Sequence, residues 1–162
     1  MAPTDPIASV RSAWQALSRQ WLLPDIQGRL AEASGFSIPR TARLALAQLA
    51  EHGDMRISEL ASLAGVDVST MSRSLQTLES AGLICRHPGD DLRVVVVSVT
   101  PAGEQAVART VEAAEQLLSD VLAAWPAHDR EQLAQLLDRF AHDFADYLAA
   151  NSGRARARVP LA

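Results

Sequence analysis

Hydroxyl, amide and guanidinium groups share one side of a short amphipathic segment in the middle of the chain. The segment runs from Val68 to Ala81, and its apolar residues Met71, Leu75 and Leu78 recur at helical spacing. Short polar groups can reach the edges of DNA bases, and the flat guanidinium of an arginine suits phosphate and guanine. The same groups could equally form an ordinary solvated helix face. The residues that carry this chemistry are Ser69, Thr70, Ser72, Arg73 and Gln76.

The overall charge bounds what such a surface can bind. The chain has 162 residues, 48% of them hydrophobic, which suffices for one core and does not require a second independent domain. Its formal net charge is −4, so no general basic field attracts nucleic acid, and any DNA site must be local. All fifteen basic residues are arginine.

Cysteine usage and hydropathy indicate where the protein works. Cys85 is the single cysteine, so no intramolecular disulfide forms, and we expect a buried structural thiol in place of a sensor. No stretch reaches the roughly 18 apolar residues that a membrane span needs, and the N-terminus lacks a secretion signal. We therefore expect a cytoplasmic protein without a membrane partner.

The elements that position the polar segment are mostly helices. Asp5 and Pro6 predict the start of a first helix, Pro24 predicts a kink with helix resuming to Ala33, and a second helix ends at His52. Ser58 to Ala64 predicts a short helix closed by Gly65, and Asp67 is placed to cap the polar segment. Two short helices joined by such a turn form a helix-turn-helix.

The second half of the chain begins with extended structure. The runs LICRH and LRVVVVSVT, separated by PGDD, predict a β-hairpin, after which Thr100 and Pro101 start another helix. A last helix from about Asp129 to Ala150 is expected to bury its apolar residues. These are Leu133, Leu136, Leu137, Phe140, Phe144 and Tyr147.

The fold class that follows is mainly α with a small β-hairpin. The first helix carries an apolar stripe at Ile7, Val10, Trp14, Leu17 and Trp21, with spacings of 3 and 4 that are typical of helices packed on other helices. Long terminal helices with such faces cannot all be buried within one small chain. We expect a homodimer.

The order of these elements, together with two stretches of sequence, resembles the MarR family of winged helix-turn-helix regulators. The stretches are ISELASLAGVDVSTMSRSLQTLESAGLICR and DLRVVVVSVTPAG, and the resemblance is strongest from Ala42 to Gly103. The family's D-x-R signature matches Asp91 and Arg93, and its Leu-Thr pair matches Val99 and Thr100. The resemblance divides the chain into an N-terminal dimerisation helix (1–36), a winged helix-turn-helix DNA-binding domain (37–101), C-terminal dimerisation helices (102–150) and a flexible tail (151–162).

The resemblance implies a function and a set of contacts. Members of the family bind palindromic double-stranded DNA as dimers, typically as repressors that small aromatic or lipophilic molecules, oxidants or metal ions release. By this resemblance the segment 68–81 is the recognition helix, and its five polar residues are the DNA-contacting candidates. Arg93 would enter the minor groove with Asp91 orienting it, and Arg56 and Arg86 would contact phosphates.

An organic effector is the regulatory signal that the residues favour. The resemblance to the family implies a site where the first, second and fifth helices meet the helix-turn-helix, although aromatic residues at helical spacing also serve as core or dimer contacts. The four histidines have no metal-binding spacing, so we expect neither a metal nor a cofactor. The candidate effector residues are Trp14, Trp21, Arg43, His52 and Met55.

Three other functions were weighed: an enzyme, a protein-interaction module, and a regulator that responds to redox state or metal. The chain has no glycine-rich phosphate loop, nucleophile elbow or cluster of His, Cys and acidic residues at a catalytic spacing, so we predict that it is not an enzyme. A winged helix used as a protein-interaction module is a rival hypothesis because fold alone does not decide function. A redox- or metal-responsive regulator of the same fold is another.

Overall fold

The structure is a computed structural model that describes residues 5–36, 38–89 and 95–156. It divides into two compact units, residues 1–117 and 118–162. None of the helices in the described ranges is long and apolar enough to cross a membrane. The helices are α1 (Pro6–Trp21), α2 (Pro24–Ser34), α3 (Arg40–His52), α4 (Ile57–Ala64), α5 (Val68–Ser80), α6 (Pro101–Leu122) and α7 (Ala127–Arg156), and the strands are β1 (Met55–Arg56), β2 (Ile84–Pro88) and β3 (Val95–Val99).

The N-terminal segment forms two helices where the sequence predicted one kinked helix. The Asp5 carboxylate caps α1 as predicted, accepting a hydrogen bond of 3.0 Å from the Ile7 amide. Helix α1 ends at Trp21, and α2 begins at Pro24, the first helical position that proline favours. The predicted kink is therefore a break between two helices, whereas the prediction that helix resumes to about Ala33 is confirmed. The Gln27 side chain bridges the break by donating to the Trp21 carbonyl at 2.8 Å.

The helix-turn-helix and its supporting helix share one core. Gly65 ends α4 in the left-handed conformation, at φ 64°, and the Val66 amide donates to the Ala61 carbonyl at 3.0 Å. The fully buried large side chains come from α3, α4, α5 and the start of the sheet, so the two short helices are held by packing as well as by their turn. They are Leu49, Leu60, Met71, Leu75, Leu78, Leu83 and Val97.

The predicted hairpin is confirmed, and a third strand extends it. Strand β3 pairs antiparallel with β2 from Ile84 opposite Val99 to Pro88 opposite Val95, and with β1 on its other side. Strand β1 has two residues and therefore no detectable alternation in the sequence. Cys85 lies on the exposed face of β2, so the expectation of a buried thiol is wrong.

The C-terminal helices differ from expectation in length and exposure. Helix α7 continues to Arg156, past the end predicted at Ala150 and into the segment expected to be a flexible tail. The apolar residues of α7 that the sequence predicted to be buried are largely exposed in the single chain. Leu136, Leu137, Phe140, Phe144 and Tyr147 are 45–64% exposed, and Leu133 is half-buried.

Candidate nucleic-acid interface

Helix α5 presents a polar face built on an apolar one. Met71, Leu75 and Leu78 are fully buried, which turns the opposite side of the helix to solvent. Two further polar residues, Thr70 and Ser72, are half-buried at the edges of that face. Its exposed polar residues are Ser69, Arg73 and Gln76.

The Asp67 carboxylate occupies the first turn of this face. The Thr70 amide donates to Asp67 Oδ1 at 2.8 Å, the Thr70 hydroxyl donates to Oδ2 at 2.7 Å, and the Ser69 hydroxyl donates to Oδ1. These hydrogen bonds, first that of Ser69 and then those of Thr70, hold the pKa of Asp67 well below its usual range. Both hydroxyl protons are therefore committed within the turn, and the two oxygens offer only lone pairs to a ligand.

Arg86 is held by helix α5. Its Nε lies 3.0 Å from Glu79 Oε2, and the two side chains are 27% and 44% exposed. The Nε–H is not aligned with the carboxylate oxygen, so the contact is an ion pair and lacks a directed hydrogen bond. Arg86 lies opposite the buried Val97 in the strand register, on the sheet face that meets the core. This geometry favours a link between α5 and β2 over a phosphate contact.

The other predicted DNA-contacting residues lie around the sheet. Arg56 is exposed on the edge strand β1, and its backbone amide donates to Glu59 Oε2 at 2.8 Å, which fixes the start of α4. Asp91 and Arg93, expected at the tip of the hairpin, lie outside the described residues.

One polar cluster on the sheet was not predicted from the sequence. His87 Nε2 lies 2.6 Å from Ser98 Oγ and 3.1 Å from Asp54 Oδ2, and Ser98 also donates to Asp54. The three residues are separated by 11 to 44 positions in the chain, so no motif connects them. Their proximity follows from the strand register, which places Ser98 opposite Cys85, two residues before His87.

The predicted effector residues are dispersed. Of the five, Arg43 lines a cavity of about 90 Å³ between the end of α2, α3 and α6. Trp14 and Trp21 are exposed on α1, His52 is exposed at the end of α3, and Met55 packs against the core. The cavity is lined by Ser34, Ile38, Arg43, Leu46, Ala47, Ala106, Val107, Thr110 and Val111.

Arg43 lines a cavity whose surface is almost entirely apolar, so its guanidinium is not turned into the cavity. Its guanidinium donates to Gln27 Oε1 at 2.6 Å and to the Ile38 carbonyl at 3.0 Å. Burial, and to a smaller extent the neighbouring Arg40, lowers the pKa of Arg43 from its usual value. Among the described residues, no group of three His, Cys, Asp or Glu side chains is placed to hold a metal ion.

Comparisons with known proteins agree on one family. The model of the MarR family matches residues 38–95. YxaD, an uncharacterized HTH-type transcriptional regulator of Bacillus subtilis, is 32% identical over 111 residues, which cover 68% of this chain and 78% of that protein. A second regulator of the same kind and organism, YdgJ, is 28% identical over 63% of each chain.

Solved structures show the same fold. RV1404 from Mycobacterium tuberculosis superposes with a TM-score of 0.72 at 22% identity, over 88% of this chain and 97% of that one. A MarR family protein from Bacillus stearothermophilus superposes with a TM-score of 0.73 at 19% identity, over 86% and 95% of the two chains.

Proposed function

Because the chain belongs to the MarR family of winged helix-turn-helix transcriptional regulators, we propose that it is a repressor that binds a palindromic operator as a homodimer. A small organic effector would release it from the DNA, and it would act in the cytoplasm. Regulators of this family bind DNA and act as dimers. The support for DNA binding, dimerisation and an effector site must come from this chain's own residues.

The observation that carries DNA binding is the exposed face of α5. Ser69, Arg73 and Gln76 face solvent on a helix whose other side is locked into the core. In helix-turn-helix proteins the N-terminal part of the second helix enters the major groove. Arg73 can pair with guanine O6 and N7, while the lone pairs of Ser69 suit the amino groups of adenine or cytosine.

The exposed apolar faces support the homodimer. In the single chain, α1 exposes five large apolar side chains at spacings of 3 and 4, and α7 exposes another set of its own. Apolar stripes of this extent are rare on monomers and mark protein contacts. A two-fold dimer would place two recognition helices about 34 Å apart, one turn of B-DNA, which requires a palindromic operator.

The apolar cavity beside Arg43 is the candidate site for a small organic effector. Its volume of about 90 Å³ is smaller than the roughly 150 Å³ that hold benzene in an engineered cavity. A small aromatic molecule would therefore have to push α6 side chains such as Val107 and Thr110 aside. Because an effector can shift an equilibrium only by binding one state better, this displacement would favour the state with lower DNA affinity.

Operator binding is tested with a duplex that covers the region upstream of the protein's own gene. We expect Arg73→Ala and Arg93→Ala to weaken binding about tenfold or more while leaving thermal unfolding unchanged. Arg29→Ala, which removes the same charge from an exposed position on α2, is the matched control and should bind normally. Affinity should fall steeply with salt. Failure to bind any duplex at low salt would favour a protein-interaction module.

A further inference from the structure

An apolar side chain stands exposed at the start of helix α5. Val68 is the first residue of the helix and is 53% exposed, whereas Val66, two residues earlier, packs against the core. A β-branched residue at an exposed helical position lowers helix propensity and gains little burial in return. Because helical side chains lean toward the N-terminus of their helix, Val68 lies at the end of α5 that contacts base edges in helix-turn-helix proteins.

The hydroxyl group next to Val68 is fixed as an acceptor. Ser69 is exposed, and its hydroxyl donates its one proton to Asp67, whose carboxylate can only accept. The Thr70 amide and hydroxyl donate to the same carboxylate at 2.8 and 2.7 Å, which holds Asp67 in this position. The Ser69 oxygen can therefore accept a hydrogen bond from a ligand but has no proton left to donate.

These two properties select among the base pairs of a major groove. The donors on the base edges there are adenine N6 and cytosine N4, so an oxygen that only accepts is limited to these two bases. The C5 methyl group is present on thymine, the partner of adenine, and is absent from guanine and cytosine. An acceptor next to an exposed apolar side chain therefore complements an adenine–thymine pair better than a guanine–cytosine pair.

We propose that the first turn of α5 selects an adenine–thymine pair in the operator, with the Val68 methyl groups against the thymine methyl and Ser69 Oγ accepting from adenine N6. The inference rests on the proposed function and deepens it, because it names the base pair that this turn recognises. Arg73 lies further along the exposed face and carries only donors, so it suits a guanine elsewhere in the same half-site.

The test changes single chemical groups in the DNA. The probe is the duplex from upstream of the protein's own gene, with each thymine replaced in turn by deoxyuridine, which lacks the methyl group. Each adenine is replaced in turn by unsubstituted purine, which lacks the N6 amino group. Fluorescence anisotropy measures the affinity of the full chain.

One base pair should respond to both replacements. We expect loss of its thymine methyl to weaken binding about fourfold, the factor for one buried methylene group. Loss of the amino group from the paired adenine should weaken binding about two- to tenfold, the factor that one hydrogen bond commonly contributes.

Protein variants then assign each group to its side chain. Val68→Ala should lose the sensitivity to the thymine methyl and keep the adenine effect, whereas Ser69→Ala should reduce the adenine effect and keep the sensitivity to the methyl. Comparing each variant with the unmodified chain removes any effect of the replacement on the duplex itself, because both proteins meet the same DNA. The control is Leu63→Ala, which removes a 54% exposed apolar side chain from α4 and should keep both effects.

The outcomes separate this inference from the proposed function. If the chain binds the duplex but no thymine methyl affects its affinity, the inference is wrong. It is also wrong if the methyl effect is unchanged in Val68→Ala, or the adenine effect unchanged in Ser69→Ala. If the chain binds no duplex at low salt, the proposed function fails, and the inference fails with it.

Discussion

Gly103, in the first turn of α6, lies directly against the carbonyl oxygen of Leu83. A Cβ atom at position 103 would be 2.1 Å from that oxygen and 2.7 Å from Val99 Cγ2. Thr100 strengthens the same junction, because its amide donates to the Leu83 carbonyl at 3.0 Å and its hydroxyl donates to the Gly82 carbonyl at 2.7 Å. The VTPAG stretch is therefore a tight joint between the end of β3 and the start of α6.

Replacing Gly103 should loosen that joint. We expect Gly103→Ala to lower the free energy of unfolding by about 1–3 kcal/mol, the usual cost of forcing a methyl group into packed structure. Urea denaturation measures it. The control is Gly28→Ala in α2, where an added Cβ meets nothing within 4 Å; it should raise the stability by about 0.5–1 kcal/mol. Equal effects of the two substitutions would contradict the close approach.

The ion pair between Arg86 and Glu79 should be measurable as a coupling energy. In a double-mutant cycle with Arg86→Gln and Glu79→Gln, we expect about 0.5–1 kcal/mol of coupling in the free energy of unfolding, because the pair is only partly screened by solvent. If Arg86 instead contacts phosphate, Arg86→Gln would weaken DNA binding and Glu79→Gln would strengthen it, with no coupling in stability.

The cap of α5 should resist mild acid. The pKa of Asp67 is lowered in the folded protein, so its contribution to stability is present above the pKa of an unfolded aspartate, about 4. That contribution is lost as the pH falls from this value through the lower pKa of the folded state. Thermal unfolding at neutral pH and below about pH 4 should show a steeper loss for the unmodified chain than for Asp67→Asn.

Ser69→Ala is the matching variant for this prediction. It removes the hydrogen bond that contributes most to the lowered pKa of Asp67, so its acid sensitivity should lie between those of the other two proteins. Parallel pH profiles for all three would show that the cap does not titrate as proposed.

The apolar cavity beside Arg43 should distinguish neutral ligands from anions of the same shape. We expect benzyl alcohol to raise the melting temperature of the full chain and benzoate to raise it less, because the cavity surface is almost entirely apolar and burying a carboxylate there is costly. Arg43→Met keeps much of the side-chain volume and should leave this order unchanged. A larger effect of benzoate that is lost in Arg43→Met would show that the guanidinium binds the anion.

Much of the framework could be predicted because its signals are local. The buried residues Met71, Leu75 and Leu78 repeat at helical spacing, and Asp67 stands at the helix start where a carboxylate reaches the Thr70 amide. The hairpin follows from two β-rich runs around a turn, although its tip with Arg93 lies outside the described residues. In each of these features the interacting residues are close in the chain.

The features that the sequence did not predict depend on contacts between different elements or on a very short strand. Strand β1 has two residues and exists only because β3 offers an edge to pair with. The exposure of Cys85 depends on which face of the hairpin meets the core, which the nearly continuous run of valines in β3 did not reveal. The partner of Arg86 was likewise not visible, because Glu79 lies on a different element.

The sequence by itself pointed to the family by resemblance. It also determined the main helices, the hairpin and the polar face of α5, because periodicity, capping and turn residues act over a few positions. The tertiary structure alone decided which polar groups meet. In the folded chain the hydroxyls of Ser69 and Thr70 donate to Asp67. Asp54, His87 and Ser98, which belong to three different segments, contact one another. The physical reason is that strand pairing and core packing join residues far apart in the chain, and hydrogen bonding depends on those final positions.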